Sequence, residues 1–163
     1  MIEPAELRTL WLKNADRLVL IARSMGENAE DAVQEAFIAL ATEDSVPDDP
    51  LAWLVRVTRN RLLQWNRSQR RRVGRESAVS AKPWLSDSSV AIDDRLDADE
   101  VSAALQKLAS PTREIIVMHL WGEMTFSSIA QVLEISRATA HRNYKSGVDQ
   151  LRLQFVVLDV PAD

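Results

Sequence analysis

Arg56, Arg59, Arg61, Arg67, Arg70, Arg71, Arg72 and Arg75 lie between Leu51 and Arg75 with no acidic residue among them. The whole chain carries 20 Lys+Arg against 24 Asp+Glu, a formal net charge of −4. With these eight arginines set aside, twelve basic residues face 24 acidic ones, a formal −12. Charge polarised in this way makes a local anion site on a protein that otherwise repels polyanions. A phosphate backbone is its most economical ligand.

Near the other end, Arg137, His141, Arg142, Lys145 and Ser146 share one face of a second helical pattern, with Thr139 beside them. The opposite face carries Ala140, Tyr144, Val148, Leu151 and Phe155 at helical spacing. An apolar seam backing a basic, hydrogen-bonding face is what a helix needs to lie in a major groove. A solvated face on an ordinary helical hairpin accounts for the same residues, since Arg and Lys commonly face water.

Other chemistries find little support. There is no cysteine, which excludes disulfides, thiolate metal sites and thiol nucleophiles. His119 and His141 are too far apart to suggest a metal site by themselves, and His119 sits on an apolar stripe with no nucleophile nearby. Only four glycines occur, too few and too scattered for a phosphate-binding loop. No catalytic set and no cofactor site can be written. The N-terminus lacks a signal-peptide pattern, and no apolar run approaches the ~18 residues of a membrane span. The expected address is the cytoplasm.

The elements that must position these residues read as all-helical. A first helix is expected from Pro4 to Met25, stopped at Gly26-Glu27-Asn28. A second, from about Ala29 to Thr42, buries Ala29, Ala32, Val33, Ala36, Phe37 and Leu40. Its polar stripe is Asp31, Gln34, Glu35 and Ile38, which reads either as a solvated face or as a docking surface for a second protein. Residues 43–50 form a loop, because prolines and aspartates break helices. The third helix, roughly Leu51 to Arg72, places Arg56, Arg59, Asn60, Leu63, Gln64, Arg67, Arg70 and Arg71 near one face. Leu54, Thr58, Leu62 and Trp65 lie on the other. Arginine pairs bidentately with phosphate, while Asn60 and Gln64 can hydrogen-bond base edges. Trp53 and Trp65 could stack on bases, but a tryptophan at helical spacing is more often packing, and Trp53 is read as core.

Periodicity fades from Glu76 to Asp94, and Lys82-Pro83 breaks any helix there. A stretch of roughly 15–20 residues without periodicity is long for one compact domain, so it is read as a flexible linker. The expected division is a domain at 1–75, a linker at 76–94 and a second domain at 95–163. In the second, Val101, Ala104, Leu105 and Leu108 form one stripe, and Ile115, Ile116, His119 and Leu120 another. Thr125 is placed to cap a short helix bearing Phe126, Ile129, Ala130 and Leu133, and Ser136 to cap the next through the amide of Ala138 or Thr139. Gly147 inside that helix costs about 1 kcal/mol relative to alanine.

The string Glu30-Asp31-Ala32-Val33-Gln34-Glu35-Ala36-Phe37, then Ala52 to Asn60 and its arginine run, resembles region 2 of bacterial sigma factors. Leu108 to Arg113, the helix over 125–133, Ile135 to Thr139 and the helix beyond resemble region 4. With only a linker between them, the whole is similar to the extracytoplasmic-function group. The resemblance implies two small helical domains, a region 2-like bundle and a region 4-like helix-turn-helix. It departs from the family in having Ala109 after Leu108, with Pro111 two residues on. Glu134 stands where a turn glycine is usual, and Ser146-Gly147 replaces a basic position. A left-handed backbone at Glu134 would cost about 1–2 kcal/mol.

The resemblance implies a protein that binds core RNA polymerase and directs it to promoters for DNA opening and transcription initiation. Asp31, Gln34, Glu35 and Ile38 match the surface that docks on the clamp helices of the largest subunit. Arg56, Arg59, Asn60, Gln64, Arg67, Arg70 and Arg71 match the face that handles the −10 element, and the loop over 45–50 the one that captures a flipped base. Arg137, Thr139, His141, Arg142, Lys145 and Ser146 would read the −35 element as duplex. Asp87, Asp93 and Asp94 are compatible with a basic RNA-exit channel, although solvated linker acids explain them more simply. An anti-sigma factor is admitted as a further partner. Two other readings stay open: a stand-alone helix-turn-helix regulator, and a degenerate sigma-like adaptor that binds only protein.

Overall fold

Pro4 stands at the first helical position of α1 (Pro4–Met25), where its fixed φ suits a helix and its missing N–H is not needed. The computed structural model describes residues 1–72 and 98–158, with side chains described as far as Phe155. Among them are seven α-helices and no strand. The chain divides into two compact units, residues 1–82 and 83–163. Arg75, the expected linker at 76–94 and its aspartates lie outside the described residues.

In the first unit α1, α2 (Ala29–Ala41) and α3 (Pro50–Arg72) pack on one another in all three pairings. Asn28 precedes α2 in a left-handed conformation that asparagine tolerates better than most residues. The expected stripe Ala29, Ala32, Val33, Ala36, Phe37 and Leu40 is buried throughout. Leu18 and Ile21 of α1 and Leu54 and Leu62 of α3 close the core against it. Two details correct the sequence reading. Helix α3 starts at Pro50, not after it, because proline is well suited to a first helical position. Asp49 caps that start, its Oδ1 accepting from the amide of Ala52 at 3.0 Å.

The second unit is built around α7 (Arg137–Leu158), against which α4 (Ala98–Gln106), α5 (Thr112–Leu120) and α6 (Phe126–Leu133) pack. Val101, Ala104, Leu105, Leu108, Ile115 and Ile116 are buried as their spacing requires. Leu120 is not: it sits at the last turn of α5 and is 49% exposed. Val117, Met118 and Val132, which the two stripes leave out, are buried instead. Pro111 follows Ser110 through a cis peptide bond and precedes α5.

The seam on α7 is less uniform than its spacing. Ala140 is fully buried, whereas Tyr144, Val148, Leu151 and Phe155 are half-buried. Gly147 explains part of this, for it is buried on the same seam where α5 comes closest. A Cβ there would lie 2.5 Å from Thr112 Cγ2 and 2.6 Å from Ile116 Cδ1. Gly147 is therefore a close-approach residue and not merely a weak point in the helix. Gly147→Ala gains about 1 kcal/mol of helix propensity, but overpacking typically costs about 1–3 kcal/mol. The overlap should win. A drop of roughly 4–8 °C in the melting temperature of this unit is expected, corresponding to a net loss of about 1 kcal/mol. An unchanged or raised melting temperature would mean that α5 and α7 do not approach so closely.

Candidate polymerase and nucleic-acid interfaces

Helix α3 turns its sequence spacing into one polar face. Arg56, Asn60, Gln64, Arg67, Arg70 and Arg71 are exposed and Arg59 is partly buried. From Arg56 to Arg71 that face runs roughly 22 Å at a helical rise of about 1.5 Å per residue. Arg61 lies off it. Its Nε sits 3.0 Å from Glu35 Oε2 on α2, so one cation of the run is engaged in an exposed ion pair between the two helices. Trp53 is half-buried, three residues before Arg56 and seven before Asn60, and so shares their side of the helix. It does not join the buried stripe of Leu54, Thr58 and Leu62, which corrects the reading of Trp53 as core. Trp65, on the same side of the helix as that stripe, is also half-buried.

On α2, Asp31 and Gln34 are exposed and Ile38 is 66% exposed, a large apolar side chain left facing solvent. Glu35 is held by Arg61, and Glu30 by Arg23 of α1, whose Nε donates to Glu30 Oε1 at 2.8 Å. The Arg23 hydrogen bond holds the Glu30 carboxyl below the usual carboxylate range. The support this gives to folding is present at neutral pH and is lost as pH falls through that lowered value. With Glu30 and Glu35 both paired, Asp31 is the stripe's carboxylate without an ion pair among the described residues. In the loop before α3, Ser45 and Asp48 are exposed while Val46 and Pro47 are half-buried.

The turn between α6 and α7 is fixed by short hydrogen bonds. Thr125 Oγ1 accepts from the amide of Ser128 at 3.1 Å, capping α6. Glu134 adopts φ 56° and ψ 42°, the left-handed conformation that a turn glycine would otherwise supply. The amide of Ile135 then donates to the Ala130 carbonyl at 3.1 Å. Ser136 Oγ accepts from the amide of Thr139 at 3.0 Å, one of the two amides its position allows. The turn keeps its form at the cost of about 1–2 kcal/mol in backbone strain.

Along α7 the side chains of Arg137, His141, Arg142, Lys145 and Ser146 are exposed together. Thr139 is half-buried, and its hydroxyl accepts from Ser136 Oγ at 2.8 Å and from Arg142 Nη2 at 3.4 Å. Ser146 Oγ accepts from Gln150 Nε2 at 3.3 Å. The ring of His141 meets the edge of Phe126, with centroids 5.1 Å apart. Phe126 in turn stacks on His119 at 4.3 Å. His119 Nδ1–H donates to the Met124 carbonyl at 2.9 Å, and Tyr144 sits edge-on to its ring at 4.8 Å. His119 thus ties the loop before α6 to α7, a role that nothing in its own spacing signals. Among the described residues no three His, Asp or Glu side chains gather as a metal site requires. No helix among them is long and apolar enough to cross a membrane.

Comparison with known families separates the two units along the same lines. Residues 10–72 match sigma-70 region 2, and residues 98–151 match sigma-70 region 4. The chain belongs to the sigma-70 family. It is a sigma factor of the extracytoplasmic-function group, which binds core RNA polymerase and directs promoter recognition, DNA opening and transcription initiation. The family consists of non-enzymatic transcription factors. Solved structures agree with the fold. Sigma factor RpoE from Bartonella quintana, solved with the anti-sigma factor NepR, shares 21% identity at a TM-score of 0.73, covering 95% of this chain and 99% of that one. CnrH, solved with the cytosolic domain of CnrY, shares 25% identity at a TM-score of 0.65, covering 97% and 92%. The extracytoplasmic function sigma factor SigJ of Mycobacterium tuberculosis shares 25% at 0.55, covering 89% of this chain and 53% of that one. No curated protein sequence matches this sigma factor.

Proposed function

We propose that the three exposed faces divide the work of initiation among them. Asp31, Gln34, Glu35 and Ile38 dock on the clamp helices of the polymerase's largest subunit. Arg56, Arg59, Asn60, Gln64, Arg67, Arg70 and Arg71 hold the −10 element, the arginines on its backbone and Asn60 and Gln64 at base edges. The loop over 45–50 receives the flipped base. Arg137, His141, Arg142, Lys145 and Ser146 read the −35 duplex. Thr139, whose hydroxyl already accepts two hydrogen bonds, contributes mainly by steering Arg142.

The observation that carries this reading is the acid-free arginine face of α3, on a helix packed beside the acidic helix α2. A simple repressor needs neither. The protein works in the cytoplasm, where polymerase and promoter are. An anti-sigma factor is a further partner on this reading, supported by the complex in which RpoE was solved.

An electrophoretic shift with promoter DNA, with and without core polymerase, tests it. The free protein should bind duplex weakly, because the −12 balance outside the arginine stretch repels DNA. Promoter specificity should appear only when core polymerase is added. Tight, sequence-specific binding by the isolated chain at physiological salt would point to a stand-alone regulator instead.

A further inference from the structure

Phe126 meets both histidines of the chain. His119 lies nearly parallel to its ring, inclined 18° with centroids 4.3 Å apart. His141 stands nearly perpendicular to it, inclined 87° at 5.1 Å. Tyr144 braces the same ring at 5.2 Å. The brace is itself fixed, since His119 is bonded to the Met124 carbonyl and meets Tyr144 edge-on. Half-buried at the start of α6, Phe126 is therefore held from both α5 and α7. His141 is the exposed ring of the four. Neither of its ring nitrogens has a hydrogen bond among the described residues, so both are left for a ligand.

The charge around His141 suits an anion. On α7, Arg137 stands four residues before it, Arg142 next to it and Lys145 four residues after it. Helix α6 carries no ionisable residue. The loop before α6 brings Glu123 and the turn after it Glu134; α5 brings Arg113, Glu114 and His119, and α4 Asp99 and Glu100. None of these carboxylates bonds to His141 among the described residues. In a helix-turn-helix the first helix crosses the DNA backbone while the second enters the groove. His141 leans on the start of that first helix, which puts its ring on the backbone side of the site. We infer that Phe126 is a positioning residue that holds His141 as a proton-dependent contact to a backbone phosphate of the −35 duplex. This rests on the assignment of α7 to the −35 element. A phosphate oxygen accepts a charge-assisted hydrogen bond from an imidazolium, about twice as strong as one from the neutral ring. Binding therefore takes up a proton at His141. Duplex affinity rises as pH falls through the range in which histidine changes charge, about pH 8 to 5. Phe126 acts through His141, restricting its rotamers before DNA arrives and so lowering the entropic cost of the contact.

The test is the affinity of holoenzyme, assembled from core polymerase and the full chain, for promoter duplex at about pH 8 and about pH 6 at constant salt. Any pH dependence of the polymerase itself is common to all variants, so each is read against His141→Gln. The wild type should gain about tenfold more affinity than His141→Gln as pH falls. His141→Lys should bind tightly at both pH values. Phe126→Leu should lose most of the gain, whereas a merely structural defect would weaken binding equally at both. Phe126→Tyr, which keeps the ring, should keep the gain. His141 is exposed, so His141→Gln decides the matter even if Phe126→Leu folds poorly. A full gain in His141→Gln would overturn the inference and make another group the one that titrates. A full gain in folded Phe126→Leu would remove Phe126 from the contact. A gain that vanishes when the −35 sequence is scrambled would mean a base contact, not a phosphate, and overturn that assignment. Arg142→Ala separates the two levels: wild-type affinity there would sink the −35 assignment itself, whereas weakened binding beside a full gain in His141→Gln would sink this inference alone.

Discussion

On a promoter template carrying an already melted bubble at the −10 element, Asn60→Ala should recover most of its lost transcription and Arg142→Ala hardly any. The two residues sit on different units and are proposed to meet different forms of DNA. Asn60 is exposed on α3 among Arg56, Gln64 and Arg67, where a separated strand needs cations along its backbone and amides at its bases. Removing its amide should slow strand opening, a step that a melted template makes unnecessary. Arg142 is exposed on α7 beside Lys145, and its guanidinium contacts the Thr139 hydroxyl that Ser136 also engages. Arg142→Ala and Lys145→Ala should each cost about 1–3 kcal/mol in duplex binding if the side chain pairs with a base. That is roughly 5–150-fold, and melting DNA elsewhere in the promoter restores none of it. Run-off transcription on duplex and bubble templates measures both variants. Equal rescue, or rescue of Arg142→Ala alone, would mean that the two helices have been given each other's tasks.

The helices and their buried stripes were largely legible in the sequence, because amphipathic spacing is a local property. Ala29 to Leu40 on α2 and Val101 to Leu105 on α4 show this. The caps at Thr125 and Ser136 were legible for the same reason, since each bonds an amide three residues ahead. Contacts between helices were not. Nothing in the spacing of Arg61 or Glu35 announces that they pair across α2 and α3. Gly147 reads as a defect along its own helix and becomes a requirement only when Thr112 and Ile116 of α5 are set against it. Trp53 is expected in the core because a tryptophan at helical spacing is more often packing, whereas it is half-buried on the side of α3 that carries Arg56 and Asn60. Trp11 and His119 gained their surroundings from Phe37 and from Phe126 and Tyr144, all distant in sequence.

Pairing also sharpens the polymerase assignment. Replacing Asp31 and Glu35 together with lysine should abolish association with core polymerase while the helices stay folded. Glu35 is tied to Arg61, so its reversal also removes an exposed ion pair, a loss of about 0–1 kcal/mol that a helix packed through Val33 and Phe37 can bear. Asp31 is exposed and has no ion pair among the described residues, so Asp31→Lys alone reverses charge with no contact to lose there. Circular dichroism should leave both variants indistinguishable from the wild type.

Co-elution with purified core polymerase on size exclusion is the most direct measurement of all, because a sigma factor must form that complex before either DNA face can act. The wild-type chain should elute with core polymerase, Asp31→Lys should do so poorly, and the doubly reversed variant should elute alone. Failure of the folded wild-type chain to co-elute would contradict the account at its centre, and undiminished co-elution of the doubly reversed variant would remove α2 from the contact.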